Sequence, residues 1–458
     1  MSEFNPGTCD ISSAILVSHA GKSLDMAAQI VKFDLDQSMS TVAYRGSLTV
    51  LDTIGLMENF PLRAEETMFL KILSSDLATE KDLKVQVFRI DNIVPTESAG
   101  GLMYTMHFVS YVTWEASKRK IITSFQRKSV NQIVKSIFEN YFSGIDAGDY
   151  LDEKDKTKVN ELATARYELI AEPDRNLYIQ PTANMTNCLI PDYIPSKAMQ
   201  YLTTVAYTPD SPSASFKFFE TLDNYYFATD EFFIKNARRQ DLIELFYSPA
   251  SSIDPKAPLD QINRIETIEI STRGMDSAAD VHGGAYTNNV LEIDLLRKVL
   301  TRNYWNYEEN AGYTDMTGNP RNIDDDPHTE AFRSETFNRE NARNFMVFKD
   351  YNSNGDVPGS MHTDRFIPQI VSNKVSYDHH LNKTTLQIGM KGRLDIAPGM
   401  VVNLSIQGLD AVSNTESNKT LSGKYLVHTS RHSRNDSGTL NSAFKLVKFG
   451  WSKGDVDV

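Results

Sequence analysis

The residues that could hold a metal ion are few, and the most suggestive pair is His428 and His432 in the stretch VHTSRHS. On a helix, histidines four residues apart could form half of a metal site. The surrounding pattern instead predicts a strand and its end, where residues four apart are separated by about 13 Å. We therefore interpret both as ordinary histidines of a sheet.

Two adjacent histidines, His379 and His380, form a second candidate. We interpret this stretch as extended chain, in which neighbouring side chains point in opposite directions. We therefore expect both rings to be exposed to solvent rather than to share a ligand.

The stretch DYNSNGDVPGSM places Asp350, Asn352, Asn354 and Gly355 at offsets that resemble the beginning of a calcium loop. An EF-hand needs a bidentate Glu at the twelfth position, and Met361 stands there. A turn rich in Asn and Gly is the better interpretation.

Two further stretches have possible chemistry. The acidic run NIDDDPHTE, with Asp324 to Asp326, could chelate a cation or poise a carboxylate pair, but such a run in a long polar loop is normally solvated. The stretch HGGAY at His282 could cradle a phosphate, but it lacks the spacing of the phosphate-binding motifs and predicts a turn. The sequence therefore predicts no catalytic residue, no metal ligand and no cofactor site, and a protein that is not an enzyme.

Composition indicates a folded protein of several domains. The chain has 458 residues, of which 40% are hydrophobic and 23% charged, and this length predicts two to four domains. A net charge of −13 argues against a protein held on nucleic acid by phosphate contacts. Cys9 and Cys188 are predicted to be unpaired thiols of a protein made in a reducing cytosol. We expect no signal peptide and no membrane insertion.

The two ends of the chain alternate apolar and polar residues, as strands with one buried face do. In the first end, Val42, Tyr44, Leu48 and Val50 should face a core. We predict a first β-barrel over 29–114, after an N-terminal arm at 1–28.

The pattern then changes to a mixed α+β domain over 115–258. KSVNQIVKSIFENYFSG has helical spacing, with Ser129 as N-cap and Gly144 at the end. PDYIPSKAMQYLTTVAY predicts a second helix, and ASFKFFETLDNYYFATDEFF predicts a hairpin that turns at Asp223–Asn224.

Strands return in a second β-barrel over 259–300 and 366–452, which a long polar insertion at 301–365 interrupts and a tail at 453–458 follows. The first barrel has the segments GSLTVLDTIG, MFLKILSSD, VFRIDNIV and MYTMHFVSY. The second has GRLDIAPG, MVVNLSIQ, KYLVHTSRHS and SAFKLVKFG in the same order. We interpret this as a duplication, while two unrelated antiparallel barrels remain the alternative. The fold class predicted is α+β and β-rich, with two related antiparallel tube-type barrels, an intervening α+β domain and an insertion.

A family resemblance rests on four blocks in order: GSLTVLDTIGLMENFPLRAEETMFLKI, KSVNQIVKSIFENYF, LIPDYIPSKAMQYL before FKFFETLDNYYFA, and GRLDIAPGMVVNL followed by LSGKYLVHTSRHS. Together they are similar to the central baseplate hub protein of contractile-tailed bacteriophages of the T-even type, over about Gln29 to Trp451. The polar section at 301–365 has no counterpart that we can place.

The resemblance implies a structural virion protein of the tail baseplate, assembled in the cytoplasm of the host bacterium. It implies a homotrimeric ring whose six barrels join a hexameric tail tube to a trimeric central spike, with a channel for DNA in transit. Implied partners are a separate spike protein below, tail-tube or tube-initiator proteins above, and neighbouring baseplate wedge proteins, with the tape measure protein as a further candidate. We expect the acidic balance to line part of the channel and repel DNA.

Two other functions are compatible with the sequence. One is a tail-tip cell-wall hydrolase with its acids around Asp324 to Asp326. The other is a receptor-binding or fibre-attachment component that uses the polar insertion as its contact surface.

Overall fold

The computed structural model describes part of the chain. The described residues are 7–18, 21–60, 62–74, 79–96, 100–142, 176–211, 213–237, 242–247, 262–271, 279, 282–295, 297–306, 343–348, 367–381, 384–407, 418 and 421–448. The acidic run, the stretch at Asp350 and the C-terminal tail lie outside them.

The described residues form a β-rich α+β fold. Its strands are β1 (Cys9–Val17), β2 (Ser23–Asp25), β3 (Ile30–Ser38), β4 (Arg45–Asp52), β5 (Thr67–Ser74), β6 (Thr79–Thr96), β7 (Gly101–Ser110), β8 (Ile121–Ser129), β9 (Asn176–Ile179), β10 (Met185–Tyr193), β11 (Lys217–Glu220), β12 (Asn224–Ala228), β13 (Ile243–Tyr247), β14 (Ile265–Ser271), β15 (Thr287–Asp294), β16 (Val299–Asn306), β17 (Arg343–Phe348), β18 (Thr384–Lys391), β19 (Val401–Ile406), β20 (Gly423–Arg434) and β21 (Leu440–Lys448). Its helices are α1 (Leu56–Asn59), α2 (Tyr111–Ser117), α3 (Val130–Tyr141), α4 (Pro195–Val205), α5 (Asp230–Ala237) and α6 (Ile367–Leu381).

One sheet of 13 strands contains both ends of the chain, in the order β14-β18-β21-β20-β3-β4-β7-β6-β5-β1-β2, with β19 also paired to β20 and β13 to β19. We name β1 to β7 the first module, and β13, β14 and β18 to β21 the second module. Each module has its own apolar core. Tyr44, Leu48 and Val50 are buried in the first core, as predicted. Val42 is also buried, but in the separate core formed around helices α2, α3 and α4.

The two modules share their strand order. In the first, β3, β4, β7, β6 and β5 are successive neighbours, and in the second β14, β18, β21, β20 and β19 are, with every pair antiparallel. The sixth strands differ, because β1 runs antiparallel to β5 whereas β13 runs parallel to β19.

The register of the pairs is also the same in both modules. Corresponding pairs are Ile30–Val50 and Ile265–Met390, Leu48–Met106 and Ile388–Phe444, and Ile90–Met106 and Ser430–Phe444. A bulge at Phe88 in β6 corresponds to a bulge at His428 in β20. Strand order, register and bulge therefore all agree between the two modules.

The structure corrects which segments of the two modules correspond. The segment GRLDIAPG, which we paired with GSLTVLDTIG, is not a strand but the turn between β18 and β19. The counterpart of β4 is β18, so that Leu48 corresponds to Ile388. The turn chemistry of Gly392, Pro398 and Gly399 outweighed the apparent alternation in that segment.

The strand pairing does not establish closed barrels. In the described residues the first module ends at β2 and the second at β14. The second module approaches closure, because Phe246 of β13 forms one isolated parallel bridge with Arg264 and its N–H donates to the Asn263 carbonyl at 3.1 Å. A single bridge does not make β13 and β14 paired strands, so it does not close the second module.

The middle of the chain is a mixed α+β region with its own core. Helix α3 begins after Ser129 as predicted, and a capping box with Gln132 stabilises that end. Helix α4 is also confirmed, and on it Met199 is buried whereas Tyr201 is exposed. The predicted hairpin is β11–β12, which turns over 221–223.

Three segments differ from the sequence interpretation. The predicted arm contains β1, which pairs with β5 and buries Cys9. Strands β15, β16 and β17 form a separate sheet that takes in the beginning of the predicted insertion, at 301–306, and a segment within it, at 343–348. The stretch around His379 and His380 is helix α6 rather than extended chain.

Within the described residues, each helix is too short or too polar to span a bilayer.

Candidate assembly surface

The two modules are joined by direct strand pairing. Residues Thr429–Arg434 of β20 pair antiparallel with Phe33–Ser38 of β3, and we name this ladder the module joint. Arg431 lies opposite Asp36, and their side chains form an ion pair with an Nε–Oδ1 distance of 3.5 Å. The joint makes the sheets of the two modules one continuous sheet, which we name the wall.

Burial changes the titration of two groups near this wall. Asp36 has its pKa raised by burial, against which the charges of Arg431 and Arg45 act. His432 is completely buried, and its Nδ1 lies 2.9 Å from the Ser442 hydroxyl. Burial lowers the pKa of His432 to about 4, so this ring is neutral at physiological pH.

His428 occupies the bulge of β20. Its Nε2 lies 3.2 Å from the Ser40 hydroxyl, and its Nδ1 lies 3.1 Å from Thr429 Oγ1. Burial, with the nearby charges of Lys217 and Lys445, lowers its pKa to about 3. The prediction that both histidines belong to a strand is confirmed, and each ring makes hydrogen-bond contacts with hydroxyl groups of the sheet.

The middle region is fixed to the first module by a buried carboxylate. Glu220 at the end of β11 is completely buried. Its Oε1 accepts hydrogen bonds from Ser110 at 2.5 Å and Tyr225 at 2.9 Å, and its Oε2 accepts one from Thr113 at 2.8 Å. Four elements, β7, α2, β11 and β12, therefore meet at one group.

A second contact fixes the same hairpin to β3. The Leu222 N–H donates to the side-chain oxygen of buried Gln37 at 3.1 Å, and the Glu220 N–H donates to the Val42 carbonyl at 2.9 Å. Such hydrogen bonds hold the middle region and the wall in one orientation.

Two strand edges of the wall are open in the described part of the chain. Strand β6 pairs with β5 only over Thr79–Gln86. Its edge from Arg89 to Thr96 therefore has no described strand beside it on that side. Strand β14 pairs with β18 alone apart from the bridge at its beginning. The exposed apolar side chains on these edges include Ile93, Val94 and Ile270.

The other residues singled out in the sequence do not gather into one site. Cys9 and Cys188 are buried thiols in different parts of the fold, and burial raises the pKa of Cys188. His379 lies against Gly283 of the HGGAY turn, since a Cβ at that glycine would be 2.3 Å from the ring. Among the described residues, no three His, Cys, Asp or Glu side chains converge as metal ligands would.

A cleft of about 340 Å³ lies between the middle region and the second module. Its lining includes Asp223 and Asp395, and both carboxylates are engaged in ion pairs. Asp223 pairs with Lys81 at 2.5 Å, and Asp395 pairs with Arg393 at 2.7 Å. Neither carboxylate is arranged as one half of a catalytic pair.

Sequence reasoning missed the open edges and the buried Glu220. Edges cannot be read from alternation, because a central and an edge strand have the same period. Glu220 did leave a signal, since a lone acid in the apolar run FKFFETL is a candidate for a buried, hydrogen-bonded group.

No protein-family model matches this chain, and no curated protein matches it. Solved structures are similar over nearly its whole length. The 43 kDa tail protein of prophage MuSo2 from Shewanella oneidensis is 8% identical, with a TM-score of 0.50 and coverage of 95% of this chain and 98% of that chain. A tail protein from Neisseria meningitidis MC58 is 10% identical, with a TM-score of 0.49 and coverage of 97% and 98%. A chain of the Francisella PdpA–VgrG complex is 12% identical, with a TM-score of 0.46 and coverage of 98% and 53%.

These structural neighbours include phage tail proteins, and the chain has the fold of the MuSo2 tail protein. The resemblance drawn from the sequence is therefore confirmed for the fold.

Proposed function

We propose that this chain is a structural protein of a phage tail and acts as the central hub of the baseplate. Three copies form a ring in which each module closes as a barrel, so that six barrels surround the tail axis. The ring joins a hexameric tail tube above to a trimeric spike protein below, within the virion and beside wedge proteins.

The observation that carries the proposal is the duplication in one polypeptide. Two modules with the same strand order and register stand side by side in a continuous sheet. Three chains of this kind offer six similar surfaces on one face while retaining true three-fold symmetry elsewhere, which suits a tube of one symmetry that meets a spike of another. The fold shared with a tail protein supports the same role.

The test is the mass of the purified chain in solution by light scattering, alone and with a trimeric spike protein, followed by electron microscopy. We expect three times the mass of one chain and a ring with a central opening in at least one of these conditions. A chain that stays monomeric in both conditions overturns the proposal.

The channel of this ring is proposed to carry DNA without binding it, because the chain has a net charge of −13. A gel-shift experiment on the assembled ring at low salt should show no retained DNA. Tight, salt-sensitive binding would indicate a basic wall instead.

Two assays address the alternatives. Clearing of peptidoglycan in a zymogram would support the hydrolase. Binding of the isolated chain to host cells would support a receptor-binding component, since the proposed hub is enclosed by other tail proteins.

A further inference from the structure

We propose that β6, from Arg89 to Thr96, pairs antiparallel with β14 of a second copy of this chain. This contact repeats between chains the module joint that β20 and β3 form within one chain. The inference rests on the proposed ring and specifies the strands and the register that close it.

The first step is the correspondence of strands. The shared register makes β6 the counterpart of β20, and β14 the counterpart of β3. The module joint uses the outer edge of β20 beyond its bulge, together with the outer edge of β3. The edge of β6 beyond Phe88 is equivalent to the joint edge of β20, and the outer edge of β14 is equivalent to that of β3.

The second step is that, within the described residues, these two edges are the open ones. Each chain thus has one completed joint and the two open halves of another, on β6 and on β14. The halves cannot be the same patch on both partners, so the contact is head-to-tail, and repeated contacts of this kind form a ring when the rotation closes.

The third step is the chemistry of the edges. An open strand presents unpaired N–H and C=O groups, and natural proteins cover such edges or protect them with charge. Ile93 and Val94 of β6 are 49% and 50% exposed, and Ile270 of β14 is 36% exposed. These exposed apolar side chains fit burial by another strand of the same kind.

The register follows from the module joint. Arg431 lies opposite Asp36 there. The counterparts are Asp91 and Ser271, so Asp91 of one copy should lie opposite the partner's Ser271. A second bulge follows Asp91, where Asn92 has φ of 54°, so the register is anchored at Asp91 rather than beyond it.

Disulfide cross-linking tests the register. The double variant D91C/S271C is oxidised in its assembled state, and we expect covalent dimers and trimers on a denaturing gel, because opposed Cβ atoms lie within about 4.5–5.5 Å and need only a small shift to the disulfide distance. A mixture of the two single variants should give dimers only. The variant D91C/I270C is the matched control, since a shift by one residue turns the side chain to the opposite face.

Edge charges test the contact independently. We expect I93K/V94K to elute as a folded monomer, with a circular dichroism spectrum equal to that of the parent. The control I122K changes an apolar residue of β8 that is 74% exposed and outside both edges, and it should assemble normally.

The outcomes separate the two proposals. If the parent chain forms the ring but D91C/S271C gives no more cross-linking than D91C/I270C, or I93K/V94K still assembles, the edge contact is overturned and the hub function stands. If the parent chain never assembles, both are overturned.

Discussion

His432 and Leu35 lie directly opposite each other across the module joint, and both are completely buried. An imidazole therefore stands beside an apolar side chain in the interior where the two modules meet. Because water does not reach this ring, protonation of His432 acts against the folded state.

The stability of the protein should fall in mild acid. The unfolded chain binds a proton at His432 near pH 6.5, whereas the folded chain binds it only near pH 4. The stabilisation is therefore complete above pH 6.5 and is lost as the pH falls toward 4, by up to about 3 kcal/mol. Urea unfolding at pH 7.5 and pH 5 measures the loss.

The variant H432Q tests whether His432 causes the loss of stability in mild acid. We expect a shallower dependence of the free energy of unfolding on pH, with a remainder from His428, whose pKa is also lowered. H282Q replaces an exposed histidine and should leave the dependence unchanged. An unchanged slope in H432Q would contradict the assignment.

Loss of the Glu220 carboxylate should strongly destabilise the protein. E220A leaves the hydroxyls of Ser110, Thr113 and Tyr225 without this acceptor, and we expect a cost of about 3–5 kcal/mol. Thermal or urea unfolding measures the change. Glu139 of helix α3 is exposed, so E139A is the control. We expect it to change the free energy of unfolding by less than about 0.5 kcal/mol.

Gly46 should not tolerate a side chain. A Cβ there would lie 2.1 Å from the Asp34 carbonyl oxygen and 2.4 Å from Phe108 Cζ, so G46A should cost about 1–3 kcal/mol or more. The equivalent position of the second module is Leu386, opposite Leu446 rather than a phenylalanine. T49A on the same strand is the control, and equal stability of G46A and the parent chain would refute the clash.

Gln37 should contribute more to the stability of the protein than the ion pair across the module joint does. The side-chain oxygen of buried Gln37 accepts the Leu222 N–H, so Q37A should cost about 1–3 kcal/mol. Arg431 and Asp36 are partly exposed at 3.5 Å, so R431A should cost less than about 1 kcal/mol. If urea unfolding shows a larger loss of stability in R431A than in Q37A, this account is contradicted.

The local elements were predictable where the pattern of burial is simple. Alternation identified β3, β4 and β7, and the sequence after Ser129 identified α3. Helix α6 was missed because its buried face mixes polar side chains with Ile370, Tyr377 and Leu381. Ser372, Asn373 and Ser376 are all buried there, and they interrupt the apolar period that marks a helix.

Those polar residues have partners far away in sequence. Trp305 Nε1 donates to Asn373 at 2.8 Å, and the Ser376 hydroxyl donates to the Ala285 carbonyl at 2.6 Å. Contacts of this range are set by the tertiary fold and leave no local signal. The same limit applies to the candidate surface, since the similar segments of the two modules were visible in the sequence but the open edges depend on which strands find neighbours.

The module joint also affects how fast a larger structure can form. Because β20 and β3 belong to one polypeptide, their contact forms at a rate that does not depend on protein concentration. Only the contacts between separate chains require diffusional encounter. In the proposed ring of tandem modules, half of the contacts between modules are then complete before the first collision, so assembly takes fewer bimolecular steps.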